Sequence, residues 1–284
     1  MLMKSLFPGL TFLVLALALV STSALAQDYD YHPELSDRFS ATIGWMRSNN
    51  SFEAEAEGLN DDLDGSYIDF QDSLGVDGHS TLFNGQMRFK FGSEQKWSVF
   101  GQYFSNKATG EAVLTDDIEW DGDTFLKGSE VGAGVKMEIW RLFFGRSLFK
   151  NERHDFGIGA GIHNLDVSIY IEGNVAKNDG EFEYKRDQVG GSQILPNIGG
   201  WYNFSPAKRW LLHARVDWIS ADIGDYDGTL WNTTAGVNFQ AWRHVGFELY
   251  WQYFNLNGGA EKDDWKGRVD MTYSGPVIAM TFNW

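Results

Sequence analysis

The sequence predicts an all-β fold: a closed antiparallel up-and-down transmembrane β-barrel of about ten strands, with about eight to twelve fitting the same pattern. Three observations predict it. Segments of period-two hydrophobicity recur along the chain, as in strands whose side chains alternate between two faces. Their greasy faces carry large rings near segment ends (Trp45, Trp97, Tyr103, Trp210, Trp218, Trp231, Trp251 and Tyr253), where barrels place aromatic girdles. The links between segments alternate short and long, as periplasmic turns and extracellular loops do.

Composition bounds the alternatives. The 284 residues include 12 Trp, 11 Tyr and 21 Phe and carry a net charge of −16. That wealth of rings argues against disorder. The acidic balance argues against a nucleic-acid partner, because phosphate contacts need clustered Lys and Arg. No cysteine is present, so there is no disulfide framework and no thiolate metal site. The one long apolar run lies at the N-terminus, which excludes a helical bundle in the membrane.

Residues 1–26 read as a secretory signal peptide: Lys4 supplies the positive start, Leu10 to Val20 the short apolar run, and Ala24-Leu25-Ala26 the cleavage site. Residues 27–37 form a short periplasmic segment, and residues 38–284 the barrel. Strands start near Arg38, Ser80, Gln95, Glu130, Asp155, Gln193, Arg209, Thr229, His244 and Arg268, each of roughly 9–11 residues. In the first, Phe39, Ala41, Ile43 and Trp45 alternate with Ser40, Thr42, Gly44 and Met46. In the second, Phe83, Met87, Phe89 and Phe91 alternate with Asn84, Gln86, Arg88 and Lys90. In the fourth, Val131 to Ile139 on odd positions alternate with Gly132, Gly134, Lys136 and Glu138. The fifth places Gly157, Gly159 and Gly161 inward, making room for bulky neighbours. The seventh, Trp210 to Trp218, is the most regular.

The links Asn49–His79, Lys107–Ser129, Tyr170–Gly191, Ser220–Gly228 and Asn255–Gly267 are expected to be long external loops. Within the first, Phe52–Glu57 and Tyr67–Phe70 are too acidic to face lipid and read as a ribbon above the membrane. In the last strand, Arg268, Asp270, Thr272 and Ser274 are out of phase with Ala279, Thr281 and Asn283, which predicts a bulge near Gly275-Pro276.

Ile278, Met280, Phe282 and Trp284 alternate up to a terminal aromatic. They resemble the signal read by the barrel-assembly machinery of Gram-negative outer membranes, with Trp where Phe is usual. The mature chain resembles a small OmpA- or OmpW-type outer-membrane barrel. The resemblance implies residence in the bacterial outer membrane, with membrane lipid, lipopolysaccharide and the assembly machinery as partners.

Parity puts Arg88, Lys90, Lys136, Glu138, His213, Arg215, Asp217, His244, Glu248, Arg268 and Asp270 in the lumen. Bare charges in a narrow lumen are costly, so they are expected to pair and plug it. A narrow channel for ions or small polar solutes is the alternative. Asn49 to Gly78 holds nine acids and no Lys or Arg. Within it, Asn60, Asp62 and Asp64 partly match a calcium loop, with Gln71 where the bidentate Glu belongs. No cofactor is expected beyond weak Ca2+ or Mg2+ at these acidic loops. Catalysis is not expected: His79 and Ser80 point to opposite faces, and His163 has no evident nucleophile. A lipid-modifying enzyme stands as the second alternative to a structural or passive envelope role.

Overall fold

The computed structural model describes residues 31–58, 67–120, 123–176, 182–223, 226–261 and 265–284. The signal-peptide reading of residues 1–26 and the candidate cation ligands Asn60, Asp62 and Asp64 lie outside the described residues.

One short helix, α1 (Pro33–Ser36), precedes the strands β1 (Phe39–Gly58), β2 (Tyr67–Asp69), β3 (His79–Phe91), β4 (Trp97–Val113), β5 (Ile118–Trp120), β6 (Asp123–Phe125), β7 (Glu130–Lys150), β8 (His154–Ala176), β9 (Phe182–Ala207), β10 (Trp210–Ile223), β11 (Tyr226–Gln240), β12 (Val245–Glu261) and β13 (Trp265–Asn283). Ten of them, β1, β3, β4 and β7 to β13, pair antiparallel in chain order, and β13 closes the barrel on β1 from Ser40↔Asn283 to Gly58↔Trp265. β2 adds to β1, and the β5–β6 hairpin leans on β8 through Phe125↔Val175.

The barrel strands begin within three residues of their expected starts, except β9, which begins at Phe182 rather than near Gln193. They are longer than expected, from 13 residues in β3 to 26 in β9. Much of what reads as long loop is strand. Outward apolarity ends partway up each strand, but the backbone pairing continues. β8 and β9, for example, stay paired from His154↔Phe204 to Ala176↔Phe182.

The reason is an exchange of faces. On β1, Phe39, Ala41, Ile43 and Trp45 point outward below, whereas Arg47, Asn49, Ser51 and Glu53 point outward above. On its inner face Ser40, Thr42 and Gly44 give way to Met46, Phe52 and Ala54, which are 2–3% exposed. On β8, Phe156, Ile158 and Ile162 face out below while Gly157, Gly159, Gly161 and His163 face in; above, Asn164, Asp166 and Glu172 face out, and Leu165, Ile169, Ile171 and Val175 face in. The parity never changes. The outer solvent changes from lipid to water, and the interior changes from polar to apolar. The lower outward band, such as Trp210–Trp218 on β10, runs about 26 Å along the strand at ~3.3 Å rise per residue, which a tilt near 40° turns into roughly 20 Å of height, close to that of an outer-membrane barrel's apolar belt. Trp45, Phe83, Trp140, Trp218, Trp231, Trp251 and Tyr253 mark its upper edge; Trp97, Phe149, Phe156, Tyr202, Trp210, Phe247 and Trp284 mark its lower edge.

The same exchange removes the expected bulge in β13. Its register runs without a shift past Trp251↔Pro276 on one side and from Met46↔Val277 to Asn49↔Ser274 on the other. Arg268, Asp270, Thr272 and Ser274 share the outward face of Ile278, Met280 and Phe282. Charge marks the lumen only where the outer face meets lipid; above the lipid it marks the outside. Gly275 has a separate role: a Cβ there would lie 1.9 Å from the Arg47 carbonyl oxygen, so only glycine lets the strands approach this closely.

Candidate functional site

Buried charged side chains converge in the lumen, which is built in layers upward from the end where β1 begins and β13 finishes. At the bottom, residues 31–37, expected as a short periplasmic segment, turn into the barrel mouth. Pro33 starts the single turn of α1, where its missing N–H costs nothing, and the His32 ring accepts from the Glu34 amide at 3.2 Å. Glu34 ion-pairs with Arg88 on the inner face of β3, accepts from the Ser40 hydroxyl at 3.3 Å, and its carbonyl accepts from the Lys90 ammonium at 2.6 Å. His32 and Leu35 are buried, and Asp37 clamps Arg243 of the β11–β12 turn through both carboxylate oxygens.

Above α1 lies a cavity of about 80 Å³ bordered by Glu34, Arg88, His213, Arg215, Glu248 and Tyr250. His213 Nε2 lies 2.7 Å from Glu248 Oε1.

Next comes a triad centred on Asp217. Arg215, two residues earlier on the same face of β10, reaches it through Nε at 2.9 Å and Nη2 at 3.1 Å. Arg141 crosses the lumen from β7 to the same carboxylate, and both side chains are 1% exposed. The two guanidiniums sit 4.2–5.1 Å from the ring centres of Phe100 and Phe143. Gly199, opposite Asp217, makes the space: a Cβ there would stand 2.0 Å from Asp217 Oδ1. Two cations on one anion leave a positive excess, and the layers below offset it. The lower lumen holds Arg88, Lys90, Arg141 and Arg215 against Glu34, Asp155, Asp217 and Glu248. An amide ladder fills the facing side: Asn84 donates to Gln252 at 2.7 Å, and Gln252 donates to Asn232 at 3.1 Å.

The top layer is apolar. Phe104, Met137, Ile139, Phe254 and Met271 meet across the axis at 0–3% exposure. Phe70, Leu74 and Val76 of the β2–β3 connection cap them, with Trp120 and Phe125 of the β5–β6 hairpin.

Of the charges expected inside, Arg88, Lys90, His213, Arg215, Asp217 and Glu248 are placed on the inner face. Lys136 and Glu138 are not: they lie on the water-exposed outer face, paired at 2.9 Å, because on β7 it is Val131 to Ile139 that faces in. Arg268 and Asp270 are outside for the reason given for β13, and Asp270 accepts from Asn257 at 2.8 Å. His244 is in an exposed turn, its Nδ1 2.6 Å from the Asn283 carbonyl. Sequence reasoning missed Arg141, Glu34 and Asp155. The signal for Arg141 was present: Trp140, Leu142 and Phe144 alternate with it and claim the lipid side. Ile278, Met280, Phe282 and Trp284 all lie on the outward face, Ile278 at 70% exposure.

His163 is fully buried beside the triad rather than at a rim, with neither ring nitrogen hydrogen-bonded. Ser80 points inward and exchanges hydrogen bonds with Asn50, while His79 points outward. Gly157 and Gly145 leave room for the Trp201 ring, which fills the lumen beside them.

No protein-family model matches the sequence, and no curated protein matches it. Among solved structures, the chain is similar to the outer membrane protease OmpT from Escherichia coli: 9% identity, 92% of this chain and 100% of that one covered, TM-score 0.56. The translocator domain of the autotransporter NalP from Neisseria meningitidis (6% identity, 97% and 95% covered, TM-score 0.45) and Ail of Yersinia pestis (11%, 85% and 98%, TM-score 0.29) also align. At such identity the likeness to OmpT shows the fold alone. Together with the closed barrel and its aromatic belts, it defines the chain as a small outer-membrane-type β-barrel.

Proposed function

We propose that this protein is a sealed barrel of the bacterial outer membrane, a rigid, non-conducting post that holds acidic connections at the cell surface. One observation carries the reading: the upper lumen is a packed apolar core set directly above a charge-balanced polar layer. A permeating ion would have to break the Asp217 pairs and then cross Phe104, Met137, Phe254 and Met271 without water. The outer-membrane address rests on the apolar belt and on the outward Ile278, Met280, Phe282 and Trp284, which fit the assembly signal. Burial of His163 and the separation of His79 from Ser80 favour a structural role over an enzymatic one.

Purified barrel in planar bilayers tests this. The expected result is no stable conductance. Steady ion-selective openings, with selectivity moved by Arg215→Gln or Glu248→Gln, would overturn it in favour of a channel.

A further inference from the structure

Among the described residues, the lipid-facing belt is indented where three strands meet. On the outer face of β4, β7 and β8 a trough of about 710 Å³ is bordered by Trp97, Leu142, Phe144, Ile158, Ala160 and Ile162, with Arg146 at one end. It exists because Ala160 stands where neighbouring outward positions carry large groups: its register partners are Phe144 on β7 and Ile198 on β9. From Arg146, opposite Ile158, to Leu142, opposite Ile162, the trough runs four residue steps, about 13 Å along the strands.

Arg146 is at the periplasmic end. It pairs in register with Trp97, the first residue of β4, and lies four residues before the end of β7. Its guanidinium rests on the Trp97 ring, 5.0 Å from the centroid. Among the described residues it forms no ion pair. The turns beside it add Lys96, Lys150 and Arg153 against Glu94 and Glu152, of which Glu94 is already paired with Lys96. A guanidinium braced on a ring at interfacial depth presents its donors as a fork suited to a phosphate.

We propose that this trough is a binding site for one glycerophospholipid of the periplasmic leaflet, with an acyl chain along Leu142, Phe144, Ala160 and Ile162 and the phosphate on Arg146. Charge complementarity selects this occupant. The trough is apolar along its length and cationic only at the end that meets the inner-leaflet headgroups. A second copy of the chain, whose outward belt is apolar at this depth, would leave Arg146 against an uncharged surface.

The test is native mass spectrometry of the full barrel, delipidated in detergent and titrated with phosphatidylglycerol. Wild type should bind one lipid saturably. Ala160→Phe fills the trough from the lipid side, and Arg146→Gln removes the charge. Each should weaken that binding about tenfold, and Leu249→Phe on a distant part of the belt should leave it unchanged. Diacylglycerol, which lacks the phosphate, should bind wild type no better than phosphatidylglycerol binds Arg146→Gln. Affinity indifferent to Ala160→Phe and Arg146→Gln, equal loss in Leu249→Phe, or a dimer abolished by Ala160→Phe would each overturn the proposal. A heat-modifiability gel on every variant reports barrel folding separately, so a folding failure is not mistaken for lost binding.

Discussion

The lower and upper halves of this barrel are built on opposite principles although the same strands run through both. Below Trp45 on β1 and Trp140 on β7 the outer face is apolar and the inner face polar. Above them the outer face is polar, and the inner face holds a core resembling that of a water-soluble barrel. Period two is common to both. What changes is which face meets the poorer solvent for polar groups, and that is decided by the surroundings rather than by the strand. The difference also divides the energetics. The upper half gains from removing Phe254, Met271 and their neighbours from water. The lower half gains little from its lipid-facing residues once inserted, and its lumen depends on satisfying buried charges.

The largest expected effect is therefore in the lower lumen. Asp217→Ala leaves Arg141 and Arg215 facing each other, buried and without their shared carboxylate. Removing one partner of a buried pair costs about 3–5 kcal/mol. Urea unfolding of barrel refolded in lipid vesicles should show a loss of that size. Replacing all three residues together with Leu should lose less, because no guanidinium is then left without its carboxylate; what remains is the cost of the negative charge in the layers below that the triad no longer offsets. If the triple variant is as damaged as Asp217→Ala, the triad acts through shape rather than charge balance.

Much of the lower half was legible in the sequence. Strand starts, the polarity of β3 and β10, and the small inner face of β8 follow from alternation, since lipid outside and a polar lumen inside give opposite marks to adjacent residues. The upper half was not, for a physical reason. Reading charge as inward is correct only where the outside is lipid, so Lys136, Glu138, Arg268 and Asp270 were assigned to the lumen. The long paired extensions of β8 and β9 read as loop because their outward residues, Asp166 and Glu172 among them, look like those of a solvated loop. Arg141 was lost by the same step, since inward Met137 and Ile139 above it suggested the lipid face. Glu34 could not have been assigned from pattern: a single helical turn has no periodicity, and its place in the mouth is set by Arg88 and Lys90, far along the chain.

A second experiment sharpens the boundary between the halves. Ile43 and Ser51 point outward on β1, eight residues apart, and both are exposed. Arginine at Ile43 would sit in the middle of the lipid band and cost about 2–4 kcal/mol. Arginine at Ser51 would sit in water and change stability by less than about 0.5 kcal/mol. Folding titrations in vesicles measure both. Equal costs would mean that the belt extends above Trp45.

The smallest effect concerns the seal over the upper core. Asp187 on β9 is nearly buried, 3.5 Å from Lys185, which also pairs with Asp123 of the β5–β6 hairpin. Burial pushes the Asp187 carboxyl up from its usual range, the neighbouring Asp123 carboxyl pushes it further, and Lys185 opposes both. A carboxyl whose pKa is raised by folding favours the folded contact while protonated. Its contribution is complete below the ordinary aspartate range and is lost as pH rises through the elevated value. Docking of the hairpin on β8, through Phe125↔Val175, should therefore loosen modestly with rising pH. Hydrogen exchange at Phe125, corrected for the intrinsic rate, should show more protection near about pH 4 than near about pH 8. Asp187→Asn should flatten the difference, because the amide keeps the shape and donor of the protonated acid at every pH. A profile unchanged in Asp187→Asn would place the sensitivity elsewhere. No pH difference in the wild type would leave the seal to Trp120 and Phe125, making the cap as apolar in its control as the core beneath it.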